Sequence, residues 1–333
     1  MIVQVCPPGD GGVRDYADCL AQAWTQREVE SRLVEGVRAT LRPALDGLLG
    51  AAPLTVVLHF SGYGYAPRGL CGWVADDLAR LKTMHGTRLR LVVVFHELFA
   101  SGPPWRSAFW LAPLQSQVAR RLARLADALW TNTEQHAGWL RGIVGDAAPL
   151  RTHAVFSNVG EPAAPPSWRE RAPRAVVFGS PQTRARAFGA LRPHAIALAR
   201  LGVKEIVEAG GGSSQVGAFT GLPVCHLGRQ PATALGALLA SSRFGLLDYP
   251  ARCLGKSGVF AAYAAHGCAT LNTFALDGDT DGLRTGQHYV SLRAPFAADV
   301  DALDATAQRL RRWYAGHSLA LQARELLLAA KPA

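Results

Sequence analysis

The sequence predicts an α/β protein built from two doubly wound, largely parallel halves. Three observations carry this: the length of 333 residues, a strand–helix alternation through the first half, and its restart after a proline-rich interruption. A chain this long exceeds one typical core and suits two. Apolar residues make up 49% of it, as in a soluble globular protein.

Ile2–Cys6 reads as a strand, Gly9-Asp10-Gly11-Gly12 as a flexible turn, and 13–25 as a helix. Leu54–Phe60 (LTVVLHF) and Leu89–Phe95 (LRLVVVF) are buried strands, because their apolar runs do not alternate. Residues 70–84 and 115–126 carry apolar stripes at helical spacing. A strand over 128–132 and a helix over Glu134–Val144 follow. Residues 157–173 (SNVGEPAAPPSWRERAP) lack any period and read as an interdomain linker, with its core at 161–173. The plan then restarts with strand 175–178, helix 186–201, strand Glu205–Ala209, a glycine turn at 210–214, a short strand near 224 and helix 231–240. Strand 244–247 runs through an acidic-aromatic turn (Asp248, Tyr249, Pro250) and Gly255-Lys256-Ser257-Gly258 into a small-residue helix over 259–265. Residues 299–330 form a helical tail. The expected domains are therefore 1–160 and 174–298, with 299–330 as terminal helices that pack back on the first.

The net charge is +10, and only Lys82, Lys204, Lys256 and Lys331 among the 35 basic residues are lysine. Such arginine dominance fits a GC-rich coding sequence as well as a binding role. The charge is spread along the chain without a nucleic-acid motif, so nucleic acid is not expected as a partner. No apolar run reaches about 18 residues, the length that suggests a membrane helix. The six cysteines (Cys6, Cys19, Cys71, Cys225, Cys253, Cys268) show no CxxC spacing and read as free thiols of a reducing compartment. The start of the chain lacks a signal-peptide pattern, so the expected location is cytoplasmic. Arg120, Arg121 and Arg124 on one helix would allow peripheral contact with an anionic membrane, against the plainer reading of a solvated face.

Candidate functional residues lie where strands end, since ligands of open α/β sheets bind beyond the carboxyl ends of the strands. Gly11 and Gly12 would let a ligand approach the backbone at a helix N-terminus, although they do not complete GxGxxG. Ser61, Tyr63 and Tyr65 follow one buried strand and suggest an acceptor-side loop. His96 and Glu97 follow the next and could contact a sugar hydroxyl or relay a proton. The aromatic loop after them, from Phe99 to Trp110, suits either sugar rings or packing. In the second half Ser180 ends a strand, and Arg184 or Arg186 could pair with a diphosphate. Lys256, Ser257 and Gly258 stand where a helix begins, a place that favours a phosphate. Asp277, Asp279 and Asp281 alternate in a loop, but lack the glycine and glutamate of a calcium loop, so no metal is expected.

Together, the Gly11-Gly12 loop, HFSGYGY at 59–65, FHE at 95–97, FGS at 178–180 and the Lys256-Ser257-Gly258 unit resemble a GT-B glycosyltransferase of the bacterial group 1 (family 4-like) type. The resemblance implies two Rossmann-like domains facing across a cleft, with a C-terminal crossover helix. It implies a nucleotide-sugar as co-substrate, no further cofactor, and a glycan or lipid-linked acceptor in polysaccharide biosynthesis. It implies retention at the anomeric carbon without an obligatory metal. The chain departs from the family at two positions: Leu254 and Ala262 stand where glutamates are usual. A non-catalytic binding subunit and a nucleotide-sugar epimerase are the competing readings. A dinucleotide-dependent oxidoreductase lacks its glycine fingerprint here.

Overall fold

The computed structural model describes residues 1–212, 221–274, 278–296 and 299–331. The chain forms two compact units, 1–153 with 319–333, and 154–318. Each contains a six-stranded parallel sheet.

In the first unit β1 (Ile2–Cys6), β2 (Ser31–Glu35), β3 (Leu54–Phe60), β4 (Leu89–Phe95), β5 (Ala128–Thr131) and β6 (Leu150–Thr152) stand in the order β2-β1-β3-β4-β5-β6. The central strands β3 and β4 pair in register from Leu54 opposite Leu89 to Phe60 opposite Phe95. Helices cover both of their faces, which is why their sequences run apolar without alternation. The helices are α1 (Gly12–Thr25), α2 (Leu41–Ala51), α3 (Gly62–Tyr65), α4 (Gly72–His85), α5 (Ser107–Leu125) and α6 (Glu134–Val144).

In the second unit β7 (Ala172–Phe178), β8 (Glu205–Ala209), β9 (Val224–His226), β10 (Ser242–Leu247), β11 (Ala269–Asn272) and β12 (Val290–Ser291) stand in the order β12-β11-β10-β7-β8-β9. Helices α7 (Pro181–Leu191), α8 (Ala195–Arg200), α9 (Ala232–Ala240), α10 (Gly258–His266) and α11 (Val300–Ala315) flank it. Close approach of α10 to the sheet depends on Gly245 in β10. A Cβ there would lie 2.3 Å from the Tyr263 ring. The Tyr263 hydroxyl donates to the carbonyls of Val176 at 2.7 Å and Leu246 at 3.1 Å, so one side chain ties α10 to β7 and β10.

The last helix, α12 (Leu319–Ala330), belongs to the first unit although it follows the second in sequence. The Trp24 indole donates to the Ala323 carbonyl at 2.9 Å, and the Tyr16 hydroxyl to Gln322 Oε1 at 2.7 Å. Thr55 and Arg90 donate to the carbonyls of Ala330 and Ala329, and His153 meets Glu325 at 3.0 Å. The bonds to Ala329 and Ala330 satisfy carbonyls that the helix end leaves open.

Some elements differ from the sequence reading. β2 and α2 went unread: every residue of β2 is at least partly exposed, and α2 carries Pro43 and Gly47. Pro43 sits in the first turn, where a missing N–H costs nothing. α5 starts at Ser107 and runs through Pro113, because its opening turns are exposed aromatics without a buried stripe. The helix expected over 186–201 is α7 and α8, separated by a 3-10 turn containing Pro193. The proline-rich segment is not a joint between units. Trp168 is buried in the second unit, its indole donating to the Arg243 carbonyl at 2.7 Å, and buried Arg171 donates to the carbonyls of His266 and Gly267.

Two glycines give a matched test. Gly245→Ala drives a methyl into the Tyr263 ring and should destabilise the second unit by about 3 kcal/mol. Gly47→Ala, with open space in α2, should stabilise the first by about 0.5–1 kcal/mol. Urea unfolding followed separately for each unit measures both.

Candidate active site

The strand order of the second unit reverses between β7 and β10, and two helix N-termini meet beside that point. Gly179, at φ +117°, follows β7, and a Cβ on it would lie 3.2 Å from Val259 in the first turn of α10. Ser180 caps α7 by accepting from the Thr183 N–H at 3.2 Å. Ser257 caps α10 by accepting from the Phe260 N–H at 3.2 Å, and is itself buried. The preceding Gly258 and Val259 amides open α10. Lys256 is half-buried beside them, with no hydrogen bond or ion pair among the described residues. Converging N–H groups and an unpaired ammonium make a site for an anion. Ser180, Lys256, Ser257 and Gly258 are thus brought together at one edge.

Arg184 is not part of that edge. It is 1% exposed, and its guanidinium faces the protein. Nε donates to Glu208 Oε1 at 2.7 Å, Nη1 to the Gly179 carbonyl at 2.6 Å, and Nη2 to the Gly211 carbonyl at 2.8 Å. Glu208 in turn holds His226 Nδ1 at 2.5 Å. The expected diphosphate contact is therefore corrected: Arg184 fixes the loops after β7 and β8. The outward arginine is Arg186, with a side chain 48% exposed. Its guanidinium lies 4.5 Å over the Tyr249 ring and 3.5 Å from Asp248 Oδ2. Asn272 clamps that turn, accepting from the Tyr249 N–H at 3.1 Å and donating to its carbonyl at 2.8 Å. The acidic-aromatic turn was visible in the sequence; its partnership with Arg186 was not. Leu254 and Ala262, at the positions usual for glutamate, are both buried.

In the first unit the strand order reverses between β1 and β3. Gly11 has φ +153°, which side chains rarely adopt, and nothing lies within 4 Å of a Cβ on Gly11 or Gly12. The α1 N-terminus is open there. Beyond β3 and β4, the Ser61 hydroxyl donates to Glu97 Oε2 at 3.0 Å, and Glu97 is exposed. Tyr63 is exposed, and its hydroxyl accepts from Gln115 Nε2 at 3.2 Å. Tyr65 lies elsewhere. It is buried, donates to the carbonyls of His59 and Val5, and stacks on Phe60, so its expected acceptor-side role gives way to packing.

His96 sits at the mouth of a buried polar cluster. Its Nε2 lies 3.2 Å from His59 Nδ1, and His59 Nε2 lies 2.9 Å from Gln4 Oε1. Tyr16 packs edge-on against both rings. Burial lowers the His96 pKa to about 4. Burial and the neighbouring His96 ring hold His59 well below the usual imidazole range. Both are neutral at pH 7. Asn132, at the end of β5, donates to the His96 carbonyl at 3.3 Å, and its own buried Oδ1 has no partner among the described residues. Sequence reading took Gln4 and Asn132 only as strand residues and His59 only as part of the HFSGYGY run, because a polar residue in a strand gives no local sign of its partners.

Among the described residues no group of three His, Cys, Asp or Glu could hold a metal, and no helix is long and apolar enough to cross a membrane. Asp277, Ser213 and Ser214 lie outside the described residues.

No family model matches the sequence, and no curated protein matches it. The structure does have solved counterparts. An α-glucosyltransferase in complex with UDP and a 13-mer DNA containing a HMU base aligns over 99% of this chain and 98% of its own, with TM-score 0.62 and 10% identity. Anabaena Alr3699/HepE in complex with UDP aligns over 98% and 99%, with TM-score 0.59 and 13% identity. A UDP-forming α,α-trehalose-phosphate synthase from Burkholderia xenovorans aligns over 96% and 85%, with TM-score 0.51 and 12% identity. The chain has the GT-B fold of these glycosyltransferases. One expectation is overturned. Nucleic acid was excluded as a partner for want of a motif, yet α-glucosyltransferases of this fold are held with DNA, including DNA with an abasic site. Binding of a polyanion needs no recognised motif, because phosphate contacts are independent of sequence.

The neutral rings set a pH dependence. The folded-state pKa of His96 is depressed, so the unfolded state binds more protons as pH falls below about 6.5. Stability should be constant above that pH and fall between about 6.5 and 4, by on the order of 3 kcal/mol for His96 alone. His59 adds loss of the same sign. Unfolding of the first unit at stepped pH should show this slope, and His96→Gln should flatten it.

Proposed function

We propose that the chain is a glycosyltransferase that moves a sugar from a nucleotide-sugar to a hydroxyl acceptor. The observation that carries this reading is the anion site of the second unit, where the N-termini of α7 and α10 meet beside unpaired Lys256. It stands in a GT-B fold whose solved counterparts hold UDP. Departure of a nucleoside diphosphate builds negative charge on the leaving oxygen, and fixed N–H dipoles with a nearby cation stabilise that charge. In this reading Lys256 and the Ser257–Gly258 turn hold the diphosphate, and Arg186 stands by. Ser180 orders the α7 terminus. His96 and Glu97 meet sugar or acceptor hydroxyls. Gly11 and Gly12 let the substrate approach the α1 terminus.

Uridine is the expected base, because the solved counterparts with a bound nucleotide hold UDP or UDP-glucose. Retention at the anomeric carbon is the expected outcome. An α-glucosyltransferase of this fold holds UDP-glucose, itself an α-linked donor. Retained activity in chelator would support metal independence. The buried Leu254 and Ala262 favour a second reading, a subunit that binds nucleotide without turnover. Product formation distinguishes the two.

Calorimetric titration with UDP, GDP, TDP and CMP tests the assignment. UDP should bind, and Lys256→Ala should weaken it about tenfold, equivalent to about 1.4 kcal/mol. Arg186→Ala should weaken binding less, while Arg184→Ala should chiefly lower stability, since it removes the buried cation paired with Glu208. Absence of binding by every nucleotide overturns the reading.

A further inference from the structure

Gln4 and His59 are fully buried behind His96 and touch no solvent. Their hydrogen bonds nevertheless fix what His96 presents. Gln4 Nε2 donates to the Ala17 carbonyl at 3.1 Å, which orients the amide and points Oε1 at His59. An oxygen acceptor 2.9 Å from His59 Nε2 requires the His59 proton on that nitrogen. His59 is neutral, so its Nδ1 is bare and can only accept. Nδ1 faces His96 Nε2 at 3.2 Å, which must therefore carry the His96 proton. His96 Nδ1 is left with an open lone pair. It has no partner among the described residues and is not among the sealed polar atoms, and His96 keeps 8% of its surface exposed.

We propose that Gln4 and His59 are positioning residues that lock His96 in its Nε2–H tautomer, so that His96 offers Nδ1 as a hydrogen-bond acceptor to a hydroxyl of the sugar substrate. This rests on the glycosyltransferase reading of the same site. The proton of an imidazole follows the bond that its other nitrogen makes, so a buried amide two rings away decides the polarity at the surface. A carboxylate in place of Gln4 would fix the same tautomer but draw a proton onto the rings. The amide fixes it without charge. Two neighbouring titratable groups have partners of their own: the Tyr16 hydroxyl, held protonated by burial, bonds to Gln322, and exposed Glu97 takes the Ser61 hydroxyl. The substrate hydroxyl thus donates to His96, and its oxygen stays available as an acceptor. No proton is transferred in the resting complex.

The test is long-range 1H–15N correlation of the histidine side chains in the full chain between pH 6 and 8. Wild type should show His96 and His59 both protonated on Nε2. Gln4→Met, which keeps the bulk and removes the acceptor, should lower the Nε2–H to Nδ1–H ratio of His96 at least about fivefold. His96 protonated on Nδ1 in wild type, or an unchanged ratio in Gln4→Met, overturns the proposal. The wild-type spectrum decides even if a variant fails to fold. With a donor and acceptor in hand, Gln4→Met should raise KM about tenfold with little change in kcat. A wild type that transfers no sugar sinks the functional reading but leaves the tautomer measurement to judge the relay.

Discussion

Pairing of the polar groups buried in and just beyond the parallel strands organises both halves of this protein. Unpaired, such a group costs about 1–3 kcal/mol, and more when charged. The second unit meets the constraint with an ion pair. Arg184 and Glu208 neutralise each other, and the remaining guanidinium donors take the carbonyls of Gly179 and Gly211. The glycine loops after β7 and β8 are thereby held without side chains of their own. Gly210 shows how closely they are held, for a Cβ there would lie 2.0 Å from Arg184 Nη1. The rigid approach of Gly179 to the α10 terminus follows from this packing.

The first unit meets the same constraint with neutral groups. Gln4, His59 and His96 form a chain in which Gln4 and His59 each have one donor and one acceptor in use and His96 its donor alone, and Tyr16 closes its side against α12. Neutrality has a cost that appears only in acid, where the rings must charge without a buried carboxylate to receive them. The ion pair of the second unit carries no such liability near neutral pH, because an arginine does not titrate there.

Much of the fold was legible because burial on two faces leaves an unmistakable mark. LTVVLHF and LRLVVVF could be little else than central strands, and β1, β4 and α6 match their expected limits. Edge strands such as β2 are partly exposed throughout and leave no such mark. The site was legible by position, since residues after strand ends gather there in any open sheet, but not by orientation. Arg184 and Arg186 differ by two positions, about 200° around a helix. Arg184 falls in register with buried Ala187, Phe188 and Leu191, at i, i+3, i+4 and i+7. That register was present in the sequence and marks Arg184 as inward; applied to α7, it separates the structural arginine from the exposed one. Tyr65 offers no comparable sign. Its three neighbours in GYGY form a single turn, too short for a period to appear.

The two strand-end clusters are chemical opposites. The second unit gathers N–H groups, Lys256 and Arg186, all donors or cations. The first presents a bare imidazole nitrogen and the Glu97 carboxylate, both acceptors. Donors aimed at a diphosphate matter most as it leaves, when its charge grows, whereas acceptors aimed at hydroxyls serve binding and orientation throughout. In the proposed transfer, loss of a cation in the second unit should weaken departure of the diphosphate, and loss of the acceptor in the first should weaken binding of a hydroxyl. The absence of glutamate at positions 254 and 262 is easier to accommodate in that light: an α10 terminus without carboxylates is a stronger anion site, at the expense of contacts to sugar hydroxyls that must then come from elsewhere.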